Sequence, residues 1–176
     1  QDVAYDSLLK SRRQLLHADI ALAIEDRYPS VRNTIPEVLA QHLSTAGQAK
    51  RSIPLWRAAA GLATKRMALK EAISHLDNAM KDAETLEPCL DRDRIELDLQ
   101  ASLGTVYMLA KGWAAPEVEH AYARANELSA SVTDPEDAVR TLWGICVFHL
   151  VRGEIGHARG IGVRIMDIAN SSGSRR

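Results

Sequence analysis

The sequence predicts an all-α chain built from antiparallel helical hairpins stacked as an array. Three observations carry that prediction. Two stretches repeat one another at an offset of forty residues, so that Leu103-Gly104 falls on Trp143-Gly144, Tyr107 on Val147, Val118 on Ala158 and Ala125 on Ile165. A fixed period of this size marks arrays in which each unit buries its apolar face against its neighbours. Apolar residues recur at helical steps, and no β-branched stretch alternates as a strand would. The few prolines stand at the starts of these patterns or in turns.

The first helix is predicted over roughly Val3 to Arg27, with Tyr5, Leu8, Leu9, Leu16, Ile20 and Ala23 on one face and Pro29 ending it. Pro36 opens the second, with Thr34 as its cap, Val38, Leu39, His42 and Ala46 directed inward, and Gly47 closing it. The third runs from Gln48 to about Ala68. Pro54 within it implies a start at Ser52 or a kink, and Ala58-Ala59-Ala60-Gly61 offers a close approach. Leu69 to about Leu86 follows, with Ala72, Ile73, Leu76, Ala79 and Met80 in its stripe, and Pro88 breaks the chain.

Asp91 opens the fifth helix, whose stripe is Ile95, Leu99, Leu103, Val106 and Ala110, and Pro116 starts a sixth that runs to Ser131. Asp134 caps a seventh, with Pro135 in its first position and its end near Gly153. The last runs from Glu154 to about Asn170, ahead of a frayed tail. Each forty-residue unit is thus two helices, with Gly104 or Gly144 where the partner must come close.

Apolar residues at 46% are enough for a continuous core, and aromatics at 5% leave most of the packing to Leu and Ala. With 22 basic and 23 acidic residues there is no basic excess, which argues against nucleic acid. No apolar run approaches the ~20 residues that span a bilayer, so a membrane partner is not expected. Cys146 falls on an apolar stripe and reads as a small core residue, whereas Cys89 lies in a turn; two free thiols suit a reducing cytoplasm. No signal peptide is visible and Gln1 is not an initiator, so a fragment of a longer protein is expected.

Catalytic machinery is not expected in this segment. It contains no G-x-x-x-x-G-K-[ST] loop, and Gly156, Gly160 and Gly162 follow no strand; Gly156 and Gly160 share a helix face and predict close helix packing. Cys146 and His149, three apart, can share a face as metal ligands do, but no third ligand stands in evident register, so neither a metal nor another cofactor is expected. Glu117, Glu119 and His120 occupy a first helical turn, where acidic groups favour the positive end of the dipole. Lys10, Arg12 and Arg13, then Lys65, Arg66 and Lys70, and finally Arg175 and Arg176 read as solvated charge.

From Leu103 onward the units resemble tetratricopeptide repeats. Leu103-Gly104-x-x-Tyr107 matches that motif's first helix, and Val118-x-x-x-Tyr122-x-x-Ala125 its second. Glu71-Ala72-Ile73-x-x-Leu76-x-x-Ala79 matches an earlier second helix. The period departs from the family's thirty-four residues, and Val118 stands where an Ala is usual, returning as Ala158 in the next unit. The resemblance implies a right-handed superhelix over residues 34–170 and a groove lined by the first helix of each hairpin. Carried onto this chain, the groove positions are Asp98, Ala101, Thr105, Met108, Thr141, Ile145, Phe148 and His149, with Met108, Ile145 and Phe148 forming an apolar strip for a peptide or helix. The other reading of these residues is packing against adjacent helices or a second copy.

Residues 1–17, beginning Gln1-Asp2-Val3-Ala4-Tyr5, resemble the segment that joins a signalling ATPase module to its helical repeats. Leu39-Ala40-Gln41-His42, Ile53-Pro54-Leu55-Trp56 and Gly112-Trp113-Ala114-Ala115-Pro116 extend the similarity to bacterial multidomain proteins with a class III adenylate or guanylate cyclase domain, an ATPase and a tetratricopeptide tail. The resemblance implies a linker helix over residues 1–33, following an ATPase or winged-helix module, then the repeat array and a disordered tail at 171–176. In such a parent, Lys10, Arg12 and Arg13 would contact the preceding module. The cyclase's metal-binding Asp residues are not found in this segment.

The function implied is non-catalytic protein–protein interaction and regulation within a cyclic-nucleotide signalling protein. Its partners would be a protein, a peptide or the parent's own domains. Two alternatives stay open: the sensor and oligomerisation repeats of an ATPase-type (LuxR-like) transcription activator, and a small-ligand-binding helical domain. A solenoid end without a polar cap exposes the face meant for the next repeat. Ile161, Ile165 and Ile168 are therefore expected at an exposed end, and self-association through it is expected.

Overall fold

The computed structural model describes residues 2–129 and 135–173. Among them the chain is entirely helical, with no strand, and no helix is long and apolar enough to cross a membrane. The helices are α1 (Asp2–Arg27), α2 (Val31–Thr34), α3 (Pro36–Thr45), α4 (Ala49–Lys65), α5 (Leu69–Glu84), α6 (Leu90–Lys111), α7 (Pro116–Ser129), α8 (Pro135–Val151) and α9 (Ile155–Gly173). They fall into two compact units, Gln1–Leu86 and Glu87–Arg176.

In the first unit α4 and α5 form an antiparallel hairpin, α3 packs on α4, and α1 packs on α3. The helix read as a linker therefore belongs to this unit. Its inward face also differs from the expected one: Ala21 is fully buried, whereas Leu9, Leu16 and Ala23 are exposed, and the side chains of Tyr5 and Leu8 lie outside the described residues. The short α2 was not expected. The Thr34 hydroxyl donates to the Ser30 carbonyl (3.0 Å) and does not cap α3, whose N-cap is Ile35. On α3, Leu39, Ala40 and Leu43 are buried while Val38 is exposed.

α4 starts at Ala49 and runs through Pro54. Proline removes the bond to the carbonyl four residues earlier, here that of exposed Lys50, which solvent can satisfy. In the Ala58–Gly61 run only Ala59 and Ala60 are buried. Their small side chains, with Ala63, Ala72, Ala79 and Ala83, let α4 and α5 approach closely around Leu76 and Trp56.

Three helices end the same way. Each chain reverses at a residue with φ in the left-handed region, Gly47 (+74°), Met67 (+60°) or Gly153 (+76°). The next amide then donates back to the helix's last turn: Gln48 to Leu43, Ala68 to Ala63 and Glu154 to His149, each at 2.9 Å. This is the Schellman closure, which satisfies orphan carbonyls and favours Gly at the reversal.

A buried acid knits the first unit together. Asp82 on α5 accepts hydrogen bonds from the Ser44 hydroxyl of α3 (2.7 Å), the Ser52 hydroxyl of α4 and the Trp56 indole N–H (3.1 Å). Three donors from two other helices thus compensate the cost of burying the carboxylate.

In the second unit α6 pairs with α7 and α8 with α9, and α7 also packs against α8. The core joins Leu97, Val118, Tyr122, Ala125, Leu128, Leu142, Ile145, Cys146, Phe148, Ala158 and Ile161. The Arg164 guanidinium on α9 reaches α7 through Asn126 Oδ1 (2.7 Å) and the Ser129 hydroxyl (3.0 Å). Arg152 at the end of α8 pairs with Glu119 of α7 (2.9 Å). Two expectations fall outside the described residues: Asp134 as a cap, and the continuation of the sixth helix to Ser131. α9 extends to Gly173, three residues beyond the expected end at Asn170, so residues 171–173 of the expected tail are helical; Arg175 and Arg176 are not among the described residues.

Candidate functional site

The repeated Gly positions of the sequence meet in one place. A β-carbon on Gly104 of α6 would come within 2.9–3.0 Å of the Tyr122 ring, and one on Gly144 of α8 within 3.6 Å of the same ring. One aromatic side chain on α7 therefore contacts equivalent positions of two successive first helices. Tyr122 is buried against Phe148, with ring centroids 5.5 Å apart. Its hydroxyl lies 3.4 Å from Thr105 Oγ1 and 4.0 Å from the Met108 sulfur. Burial pushes the phenol's pKa up, and the Thr105 contact partly opposes that.

The expected groove divides sharply. Asp98, Ala101 and Met108 are part-exposed and Thr105 is exposed, all on α6. On α8, Thr141 is buried, and Ile145 and Phe148 are each 1% exposed inside the core. An open apolar strip through Ile145 and Phe148 is thus not present; those side chains fill the interior where α7, α8 and α9 meet. His149 is half-buried, and its Nδ1 lies 2.6 Å from Glu154 Oε2.

The exposed apolar end is likewise built from other residues than expected. Ile161 is buried, and Ile165 and Ile168 pack against the core. Ile155 (60% exposed), Val163 (53%) and Met166 (62%) occupy the outward side of α9 instead. They share one face of α9, lying within about 80° of one another at ~100° per residue. On α8, Trp143 (64% exposed) and Leu150 lie one heptad apart on one face, also outward. Gly156, Gly160 and Gly162 have nothing within 4 Å of an added β-carbon, so close packing is not their role.

Cys146 is buried in the core, with its thiol 3.5 Å from the Ala158 carbonyl, and Cys89 is exposed at the N-cap of α6; both are free. Cys146 and His149 do not act as a pair. His149 instead converges with Glu154 and His157, whose ligand atoms all lie within 4.8 Å of one another. Residue spacing alone did not announce this grouping, because the three meet only through the reversal at Gly153.

The first unit holds a concavity of about 430 Å³, to which Glu37, Gln41 and His42 of α3, Trp56 of α4, and His75 and Asn78 of α5 contribute. The His75 ring stacks on Trp56 at 5.6 Å. Its Nε2 is buried and makes no hydrogen bond, with Glu71 Oε1 at 3.6 Å, beyond hydrogen-bond reach.

No protein-family model matches the chain, and no solved structure matches it. It is similar to an uncharacterized protein of Rhizobium meliloti (strain 1021), at 23% identity over 129 residues. That match covers 73% of this chain but 12% of the relative, so the aligned segment is a small part of a much longer polypeptide.

Proposed function

We propose that this segment is a non-catalytic, tetratricopeptide-like array that binds a protein partner within a large multidomain polypeptide. The observation that carries the proposal is the Tyr122 ring contacting both Gly104 and Gly144. Equivalent positions of consecutive units sharing one side chain is how stacked repeats bury their apolar faces. The length of the Rhizobium relative supports a multidomain setting, and the resemblance of residues 1–17 supports an ATPase- and cyclase-linked parent in the cytoplasm. Partner binding there would bias the parent's output domain.

The binding surface is the outward apolar set of α8 and α9, led by Trp143, Val163 and Met166. Exposed aromatic and Met side chains are the types enriched at protein interfaces. Part-exposed Asp98, Ala101 and Met108, with exposed Thr105, offer a further surface on α6. A photo-cross-linking residue placed at position 143 or 166 of the chain in its host cell tests this. One discrete cross-linked protein is expected from both positions and none from exposed Glu84. Equal products from all three positions, or none from any, would sink the reading.

A second reading rests on the concavity beside Trp56 and His75. It suits a small polar ligand that lies against the side chains of Glu37, Gln41 and Asn78. Native mass spectrometry of the chain purified from its host tests it. A co-purified molecule lost on Gln41→Ala, at an exposed residue of the concavity, would support it, and a ligand-free chain would count against it.

A further inference from the structure

We propose that His149, Glu154 and His157 form a binding site for a zinc-type divalent cation. The three come from the last turn of α8, the reversal after it, and the first turn of α9, in the spacing His-x4-Glu-x2-His. The backbone that presents them is fixed. Gly153 takes the left-handed conformation, the Glu154 amide donates to the His149 carbonyl (2.9 Å), and the Ala158 amide donates to the Glu154 carbonyl (3.1 Å).

The ligand atoms already converge. His149 Nδ1 and Glu154 Oε2 are 2.6 Å apart, the His149 and His157 rings are 5.3 Å apart, and all three ligand atoms lie within 4.8 Å of one another. Tetrahedral zinc with bonds of about 2.0–2.2 Å separates its ligands by about 3.3 Å. Small side-chain rotations reach that arrangement: the close pair opens slightly and His157 swings in. His157 is exposed, which leaves a fourth position for water.

The surroundings suit a metal ligand. Arg152 Nε donates to the other carboxylate oxygen, Glu154 Oε1, at 2.8 Å, which fixes the carboxylate and leaves Oε2 directed at the imidazoles. Arg152 also pairs with Glu119 (2.9 Å), so its charge is balanced from α7 and does not oppose a cation unchecked. Two imidazoles with one carboxylate select zinc and its neighbours over magnesium or calcium, which take oxygen ligands.

The test is a zinc titration of the untagged, metal-free chain against a chromophoric chelator, alongside magnesium. One equivalent of zinc is expected, with no competition from magnesium. His157→Ala and Glu154→Gln should each weaken zinc by more than about tenfold, since losing even a supporting contact costs about 10–100-fold. His42→Ala, which removes half of the separate His17–His42 pair, should leave binding unchanged. Because His157 is exposed, its replacement should leave the helical circular dichroism intact. No stoichiometric zinc, or binding undiminished in both site variants, would overturn the proposal and leave an ordinary His149–Glu154 ion pair.

Discussion

The Tyr122 ring lies so close to Gly104 that a β-carbon there would fall 2.9–3.0 Å from three of its carbons. Tyr122 cannot withdraw, because it is 2% exposed and lies against Phe148. The same ring leaves Gly144 the ordinary contact distance of 3.6 Å. Two sequence-equivalent glycines therefore have different tolerance. Overpacking costs about 1–3 kcal/mol, and replacing a helical Gly by Ala recovers about 1 kcal/mol of backbone propensity. Gly104→Ala should destabilise the chain by up to about 2 kcal/mol, while Gly144→Ala should be neutral or stabilise it by up to about 1 kcal/mol. Urea unfolding of the two variants decides this. Equal effects would mean that Tyr122 does not discriminate between the two helices.

Asp82 holds three donors in the first unit. Asp82→Ala would leave the Ser44 and Ser52 hydroxyls and the Trp56 indole without their shared acceptor. An unsatisfied buried donor costs about 1–3 kcal/mol, and the Ser52 hydroxyl keeps the Ala49 carbonyl as an acceptor (3.1 Å), so a loss of at least about 2 kcal/mol is expected. Ser44→Ala, which removes one donor and keeps the others paired, should cost only about 1 kcal/mol. Chemical denaturation showing similar losses for the two would contradict this division.

Met67 holds the left-handed φ of +60° at a reversal where Gly47 and Gly153 serve in the equivalent turns. The conformation costs a side-chain-bearing residue about 1–2 kcal/mol, while glycine's greater unfolded-state freedom returns about 0.5–1 kcal/mol of that. Met67→Gly should raise stability by up to about 1 kcal/mol, because Met67 is exposed and little packing is lost. A fall in melting temperature would show that the Met side chain contributes contacts the fold needs.

His42 contributes acid sensitivity to the first unit. Its Nδ1 lies 2.9 Å from that of His17, and its pKa is held below the ordinary 6.5, first by burial and then by the His17 charge. The unfolded chain then binds this proton at a higher pH than the folded one does. The contribution to stability is complete above about pH 6.5 and is lost as pH falls through the folded-state value. Melting temperature should therefore drop as pH falls below about 6.5, with a shallower slope in His42→Gln. An NMR titration of His17→Gln should also show the His42 pKa moving up. Identical slopes in the parent and His42→Gln would contradict the assignment.

The hairpins were legible because the forty-residue offset records a physical contact: Gly104 and Gly144 recur since both meet Tyr122. Which face of a helix turns inward was less legible where a helix carries apolar residues all round. α1 has leucines at positions 8, 9, 15, 16 and 22, and only its packing against α3 selects Ala21. α9 offers two apolar faces, and periodicity does not distinguish buried Ile161 from exposed Met166.

The groove positions came from a motif and not from packing. Position alone could not show that Ile145 and Phe148 meet α7 and α9 inside the core. Asp82 read as one more surface charge, because its donors stand 26, 30 and 38 residues away in sequence. The His149–Glu154–His157 grouping depends on a turn geometry that no spacing rule announced.

The stacking of successive hairpins is tested most directly by nuclear Overhauser contacts from the Tyr122 ring protons in solution. Strong cross-peaks to the α-protons of both Gly104 and Gly144 are predicted. A cross-peak to Gly104 alone would leave an isolated α6–α7 hairpin and contradict the array on which the proposed function rests.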